Sequence, residues 1–281
     1  MGAFTRPFLF YSAAKKLHVM RQFALLAILV TGVVASKSVE AQWQFSGAAG
    51  VRYVATDEFD SDGKKLVAEH GYLPGLELKA DYRKAGWRFT FGGEVYGGNI
   101  SYDGQMQSGM SFSTTTRTRQ LRINAQAGRY ISDATLLVAG AEWDYWKRDI
   151  QGRGTTLGLG EEYNSWRFVA GAETRVLRMS WADIDMTGLL VVSSPEHLQV
   201  SFDNQLFDRA TLSTKPGIGA RLAIEVHPKA FSRVTIESDF EWMRVNHSDT
   251  AILTKGGAPV GTVAQPEHVR KAIGLKVRYR F

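Results

Sequence analysis

Asp183-Ile184-Asp185 sets two carboxylates two residues apart, a spacing that puts both on one face of an extended strand. Such a pair could share a proton or hold a cation. His247-Ser248-Asp249 joins a side chain that titrates near neutrality to a neighbouring acid, the minimum for a general base in a hydrolase. Asp57, Asp60 and Asp62 lie near the other end of the chain, and a sheet closed on itself would bring them toward His247 and Asp249. Asp60-Ser61-Asp62-Gly63 opens like a calcium loop, but the later ligands and the closing Glu are missing. The run Ser111–Thr118 is rich in hydroxyls and suits a surface loop. There is no cysteine, P-loop, nucleotide fingerprint or zinc motif, so the sequence calls for no metal and no cofactor.

What would position these residues is a set of strands. Apolar side chains recur with period two rather than 3.6. Ten such segments fall near 43–56, 74–84, 87–99, 119–130, 135–147, 162–176, 179–192, 214–227, 231–246 and 268–281. Leu198–Phe202 could add a short strand. Most segments reach ten residues, beyond the five or six usual for a soluble strand and long enough to cross a bilayer at a tilt. Lys84-Ala85-Gly86, Ser132-Asp133-Ala134 and Pro228-Lys229-Ala230 are tight turns, whereas 57–73, 100–118, 148–161, 193–213 and 247–267 are long and polar. Short turns at one end and long loops at the other are the signature of a transmembrane barrel. Trp43, Tyr82, Trp87 and Phe281 fall near the turn end, and Trp143, Tyr145, Trp166 and Trp242 toward the loop end, as two interfacial girdles would. A soluble sandwich also alternates, but with its charges turned to water.

The first 41 residues look like a secretory leader. Lys15, Lys16 and Arg21 precede an apolar run from Phe23 to Val34, and Val39-Glu40-Ala41 places small residues before a cut at Gln42. Met20 offers an alternative start. The run falls short of the about 20 residues a membrane helix needs. Residues 42–281 are then one domain. The leader carries Arg6, Lys15, Lys16, Arg21 and Lys37 against Glu40, so without it the 34 basic and 28 acidic residues become 29 and 27. The net charge drops from +6 to +2, which removes the main support for a nucleic-acid partner.

The polar faces of the ten segments carry Glu77, Asp81, Glu94, Glu142, Asp144, Glu173, Asp183, Asp185, Glu225, Glu237, Asp239 and Glu241. They also carry Arg52, Lys79, Arg83, Arg88, Arg122, Arg167, Arg175, Arg221, Arg270, Lys276, Arg278 and Arg280, an equal number. Equality of sign is what a narrow interior requires, because an unpaired charge there costs several kcal/mol. The acids Glu237, Asp239 and Glu241 are expected to pair with Arg270, Lys276, Arg278 and Arg280 on the adjacent last strand. Ten strands filled in this way would form a plug rather than a pore. Asp183 and Asp185 are then ion-pair filling.

The chain ends Gly274-Leu275-Lys276-Val277-Arg278-Tyr279-Arg280-Phe281. A Gly, alternating hydrophobics and a terminal Phe resemble the C-terminal assembly signal of Gram-negative outer-membrane β-barrel proteins, carried by Gly274, Val277, Tyr279 and Phe281. The resemblance implies an all-β, antiparallel up-and-down barrel in the outer membrane. It further implies recognition by the barrel-assembly machinery, periplasmic termini, extracellular loops, and contact with outer-membrane lipid and lipopolysaccharide. The strand count is also similar to that of the omptin proteases, which carry paired Asp residues and an Asp-His pair high on the wall; no set here matches those positions. Three functions follow as expectations: a structural or surface-interaction barrel first, then an outer-membrane hydrolase acting on peptides or lipids, then a narrow solute channel. The alternation carries no oligomeric-state signal.

Overall fold

A computed structural model describes residues 42–105 and 109–281; the segment expected to be a leader, residues 1–41, lies outside them. The alternating segments become β1 (Gln42–Phe59), β2 (Lys65–Lys84), β3 (Trp87–Gln105), β4 (Ser111–Tyr130), β5 (Thr135–Ile150), β6 (Leu159–Arg178) and β7 (Ala182–Ser193). Two short strands follow, β8 (His197–Phe202) and β9 (Ala210–Ser213), then β10 (Gly217–Pro228) and β11 (Val234–Val245). A hairpin of β12 (Ala251–Lys255) and β13 (Ala258–Val263) precedes the last strand, β14 (Glu267–Arg280). β1 to β7 pair antiparallel in chain order, and β7, β10, β11, β14 and β1 complete the ring. Ten strands thus close into an antiparallel barrel. The tight turns follow from their residues: Ala85 at φ 48° and Gly86 at φ 76° form a left-handed pair whose twist suits a hairpin between β2 and β3.

Alternation sorts the wall into two faces. On β14, Ile273, Leu275, Val277, Tyr279 and Phe281 point outward, with Val277 54% and Phe281 74% exposed, whereas Lys276 and Arg278 are buried within. The same outer band runs through Leu76, Leu78, Phe91, Ile123, Phe168, Leu190, Leu222 and Ile236. From Ile273 to Phe281 is about 27 Å of strand, which at the usual tilt covers most of the ~25 Å apolar band of an outer-membrane barrel. Trp43 and Tyr82 meet at 4.9 Å on the turn side, and Trp143 stacks on Tyr145 at 5.8 Å on the loop side. Among the described residues no helix is long and apolar enough to cross a membrane.

The expected long loops are corrected. β2, β4 and β6 each run 20 residues, so most of 57–73 and 100–118 and the ends of 148–161 are strand. Pairing also continues through much of 193–213: β8 carries on from β7 past Ser194-Pro195-Glu196 and pairs with β6, and β9 returns beside it. The reason is that these stretches stand beyond the apolar band. Their outer faces meet water, so the alternation lapses while the hydrogen-bonded ladder does not. Ser111–Thr118 is the start of β4 rather than a loop.

The interior is not wholly ionic. Leu136, Val138, Val169, Leu189, Val191, Met243 and Val245 form a buried apolar cluster. Val54, Leu73, Tyr96 and Ile100 form another. On β7 the run Leu189-Leu190-Val191-Val192 is apolar on both faces, outward at Leu190 and Val192 and inward at the other two.

Candidate functional site

The barrel interior is crossed by ion pairs at several levels. Nearest the turn end, Arg88 forks onto Glu173 from across the barrel, and Arg175 forks onto Asp185 at 2.8 and 3.3 Å. Asp185 also meets His227 at 3.2 Å, and Asp183 lies 3.6 Å from Arg175 and 3.8 Å from Lys229. The Asp-x-Asp pair is therefore held by protein cations. Above it, Arg278 bridges Glu77 and Glu237, and Lys276 bridges Glu77, Glu237 and Asp239.

The middle level is built by long side chains spanning the lumen. Arg52 forks onto Glu94 at 3.1 and 3.2 Å and lies 3.6 Å from Asp239. Arg122 on β4 reaches Glu94, Glu142, Asp144 and, on the far wall, Glu241 at 2.9 Å. Arg221 on β10 forks across to Glu142 on β5, and Arg167 bonds Asp144 and Glu241. The expected pairing of the last two strands thus holds only in part. Glu237 and Asp239 take Lys276, but Glu241 goes to Arg122, Arg167 and Arg221, and Arg270 goes to Glu196 and Asp144. Arg280 has no carboxylate partner among the described residues. The lumen is narrow enough for a guanidinium to cross it, so adjacency on the sheet does not decide the partner.

Two voids remain. One of about 130 Å³ is lined by Lys79, Glu77, Glu173 and Arg278, and one of about 30 Å³ by Thr56, Asp144, Arg167 and Arg270. Arg52 and Arg122 line both, so their ion pairs divide the lumen. The larger void has room for a handful of waters.

The loop-end mouth has its own site. Arg148, 1% exposed, meets Glu58 at 2.6 Å, Glu161 at 2.7 Å and Glu69 at 3.0 Å, with the Tyr163 hydroxyl donating to Glu161 at 2.9 Å. Three acids surround one cation, and burial pushes the Glu161 carboxyl above its usual range. Beside them Trp146 stacks on Tyr163 at 4.8 Å, and His268 lies under both rings with its Nε2 3.1 Å from Glu196. An apolar roof covers the mouth: Leu198, Val200, Ala210 and Leu212 pack with Leu253, Ala251 and Val263 of the β12–β13 hairpin. The half-buried Asp208 ties that hairpin down, accepting from Thr254 Oγ1 at 2.7 Å, Gly257 N at 2.9 Å and Gly256 N at 3.1 Å. The Gly257 amide, then Thr254 and Gly256, hold the Asp208 carboxyl below its usual range.

The hydrolase candidates are not brought together. Asp249 pairs with Lys215 at 2.7 Å, Asp57 faces outward between Lys65 at 2.6 Å and Lys271 at 3.5 Å, and Asp60 caps its own turn through the amides of Asp62 and Lys64. The exposed His247 ring makes no hydrogen bond or ion pair with any of them. Among the described residues no group of His and acids could hold a metal ion. The Arg148 site lies outside the sequence expectations because 57–73 and 148–161 read as loops; His268 opens an expected strand, but its partner Glu196 falls in 193–213, which also read as a loop. Strand parity carried on from Arg52, Asp144 and Arg167 would have turned Glu58, Arg148 and Glu161 inward. Gly274, within the assembly-like end, has a steric role: a Cβ there would lie 2.3 Å from Asp239 Oδ1.

A closed antiparallel wall of ten strands, apolar outside and ion-paired within, is an outer-membrane β-barrel fold. Among solved structures the chain is similar to the outer membrane protease OmpT from Escherichia coli, with a TM-score of 0.52 at 10% identity over 89% of this chain and 100% of that one. It is also similar to the translocator domain of autotransporter NalP from Neisseria meningitidis (TM-score 0.44, 12% identity, 96% and 98% covered). A third similar structure is Ail, the attachment invasion locus protein of Yersinia pestis (0.34, 11%, 85% and 99%). At such identities the likeness to OmpT is one of fold. No protein-family model matches the chain, and no curated protein matches it.

Proposed function

We propose that the protein is a closed outer-membrane barrel that acts through its surface, neither conducting solutes nor hydrolysing them. The observation that carries this reading is the set of arginines reaching non-adjacent strands through the lumen, Arg122 to Glu241 on the opposite wall and, three strands around the ring, Arg221 to Glu142 and Arg88 to Glu173. Opening a path would part buried ion pairs, each costing about 3–5 kcal/mol when one charge is left alone. The strand extensions and the roofed mouth then form a platform on the extracellular side, in contact with lipopolysaccharide, with both termini in the periplasm. The end of β14, through Val277, Tyr279 and Phe281, is what the barrel-assembly machinery grips. A protease reading lacks support in this chain, since Asp57 and Asp249 pair with lysines, Asp60 caps its own turn, and His247 makes no hydrogen bond with any of them. Planar-bilayer recording of the purified barrel tests the proposal: silence is expected, and stepwise conductance would overturn it in favour of a narrow channel.

A further inference from the structure

Both ends of the barrel carry exposed cations, and at the turn end these stand among exposed aromatic rings. Beyond the apolar band on the loop side some exposed cations have acidic neighbours, Lys65 and Lys271 with Asp57, Lys147 with Glu162, Lys215 with Asp249, Arg244 with Glu267, whereas Lys64, Arg117, Arg119, Arg209 and Lys255 are exposed with no carboxylate in ion-pair range among the described residues. On the turn side the exposed cations are Arg83, Lys84, Arg129, Arg178, Lys229 and Arg233. Of these only Lys229 has a carboxylate, Asp183 at 3.8 Å. Arg129 lies over the Trp87 ring at 5.4 Å and donates to Ala85 O, and Arg233 reaches the Tyr279 hydroxyl at 3.4 Å. These contacts aim the two guanidinium groups along the rim without neutralising them. The only exposed acid in the same turns is Asp133.

Apolar side chains alternate with these cations. Trp87, Ile131, Trp181 and Phe231 are exposed on successive turns, and Trp43 and Phe281 stand at the chain ends beside them. Aromatic rings at this depth sit among lipid headgroups, and cations beside them meet whatever charge the headgroups carry.

We propose that the turn-side rim is a docking ring for anionic phospholipid headgroups, resting on the membrane-barrel reading above. The rim is continuous with the apolar band, so the headgroups of the same leaflet are the anions within its reach. Phosphodiesters that carry a net negative charge, such as phosphatidylglycerol, supply what the protein withholds.

The test uses the full barrel in vesicles of phosphatidylcholine mixed with phosphatidylglycerol, with one or the other lipid brominated. Quenching of the rim tryptophans by brominated lipid reports which headgroup is enriched. Wild type is expected to prefer phosphatidylglycerol about fivefold, the effect of one cation near an anionic headgroup, and 0.5 M salt is expected to reduce this. The variant R83Q/K84Q/R129Q/R178Q/R233Q, with no buried charge altered, is expected to lose the preference while keeping its gel shift on boiling. Equal quenching by both lipids in wild type overturns the proposal, as does a preference that survives in the variant. A preference lost instead in K147Q/K271Q would place the lipid site on the loop side and also overturn it. Conductance of the wild-type barrel would refute the closed-lumen reading without touching this one.

Discussion

Replacing Arg148 with Met removes the single cation among Glu58, Glu69 and Glu161 while keeping most of the side-chain volume. At pH 8 the three acids are left buried with only Thr116 and Tyr163 donating to them. Breaking a buried pair by deleting one partner costs about 3–5 kcal/mol. The loss depends on pH, and the sign follows from which state binds protons. Burial already raises the Glu161 carboxyl against the opposing pull of Arg148, so without that cation its folded pKa rises further above the unfolded value of about 4.3. The folded variant then holds more protons than the unfolded one, and its stability falls as pH rises. Below the unfolded pKa both states are protonated and the deficit vanishes. The cluster lies outside the apolar band, since Glu161 is about 16 Å of strand beyond Trp166, so bulk protons reach it. Urea unfolding in detergent micelles, followed by tryptophan fluorescence at pH 8 and pH 4.5, measures both limbs. The expected deficit of about 3–5 kcal/mol at pH 8 should shrink to near 1 kcal/mol at pH 4.5, the order of one ordinary hydrogen bond. A deficit of equal size at both pH values would refute the electrostatic account and leave only lost packing.

Gly274→Ala would push a Cβ within 2.3 Å of Asp239 Oδ1, costing about 1–3 kcal/mol in the same assay; Gly261→Ala, with nothing within 4 Å, should be neutral. Asp208→Ala should speed tryptic cleavage at Lys255 while leaving the gel shift of the barrel unchanged. Because the folded pKa of Asp208 is depressed, its hold on the hairpin is full above the unfolded value of about 3.9 and is lost as pH falls through the lower folded one. Hydrogen exchange at Gly256 and Gly257 should therefore quicken only below about pH 4. Phe281→Ser should lower the amount of barrel assembled in the outer membrane; normal levels would count against the assembly signal.

The ten strands were legible because lipid and lumen impose opposite chemistry on successive residues, so the pattern along β14 or β11 needs no partner to interpret. The strand extensions were hidden for the matching reason. Past Arg119, Lys147 and Lys271 the outer face meets water, polar residues occupy both faces, and a ladder looks like a loop. The inward-facing charges were legible as a set, but their partners were not. Glu241 sits beside β14 in register, opposite Ala272, yet bonds arginines on three other strands. That choice depends on the diameter of the closed barrel, which no local pattern encodes. The hydrolase candidates failed by the same logic: sequence placed His247 and Asp57 at one rim, but Asp57 turns outward to Lys65 and Lys271.

The ionic interior has a consequence for register that does not depend on any net stability of its ion pairs. Side-chain direction alternates along a strand, so a slip of β14 by one residue would exchange its two faces. Lys276 and Arg278 would then face lipid, at about 2–4 kcal/mol each near the midplane, while Leu275 and Val277 would enter a lumen lined by carboxylates stripped of their cations. Stretches with apolar residues on both faces lack this penalty, and β7 has one in Leu189-Leu190-Val191-Val192. It is held instead by its ends: Asp183 and Asp185 bind Arg175 on β6, and Ser193 Oγ accepts from Gly217 N on β10 at 3.0 Å. Asp183 and Asp185, expected as ion-pair filling, thus act as pins that fix the register of a strand whose apolar stretch cannot fix its own.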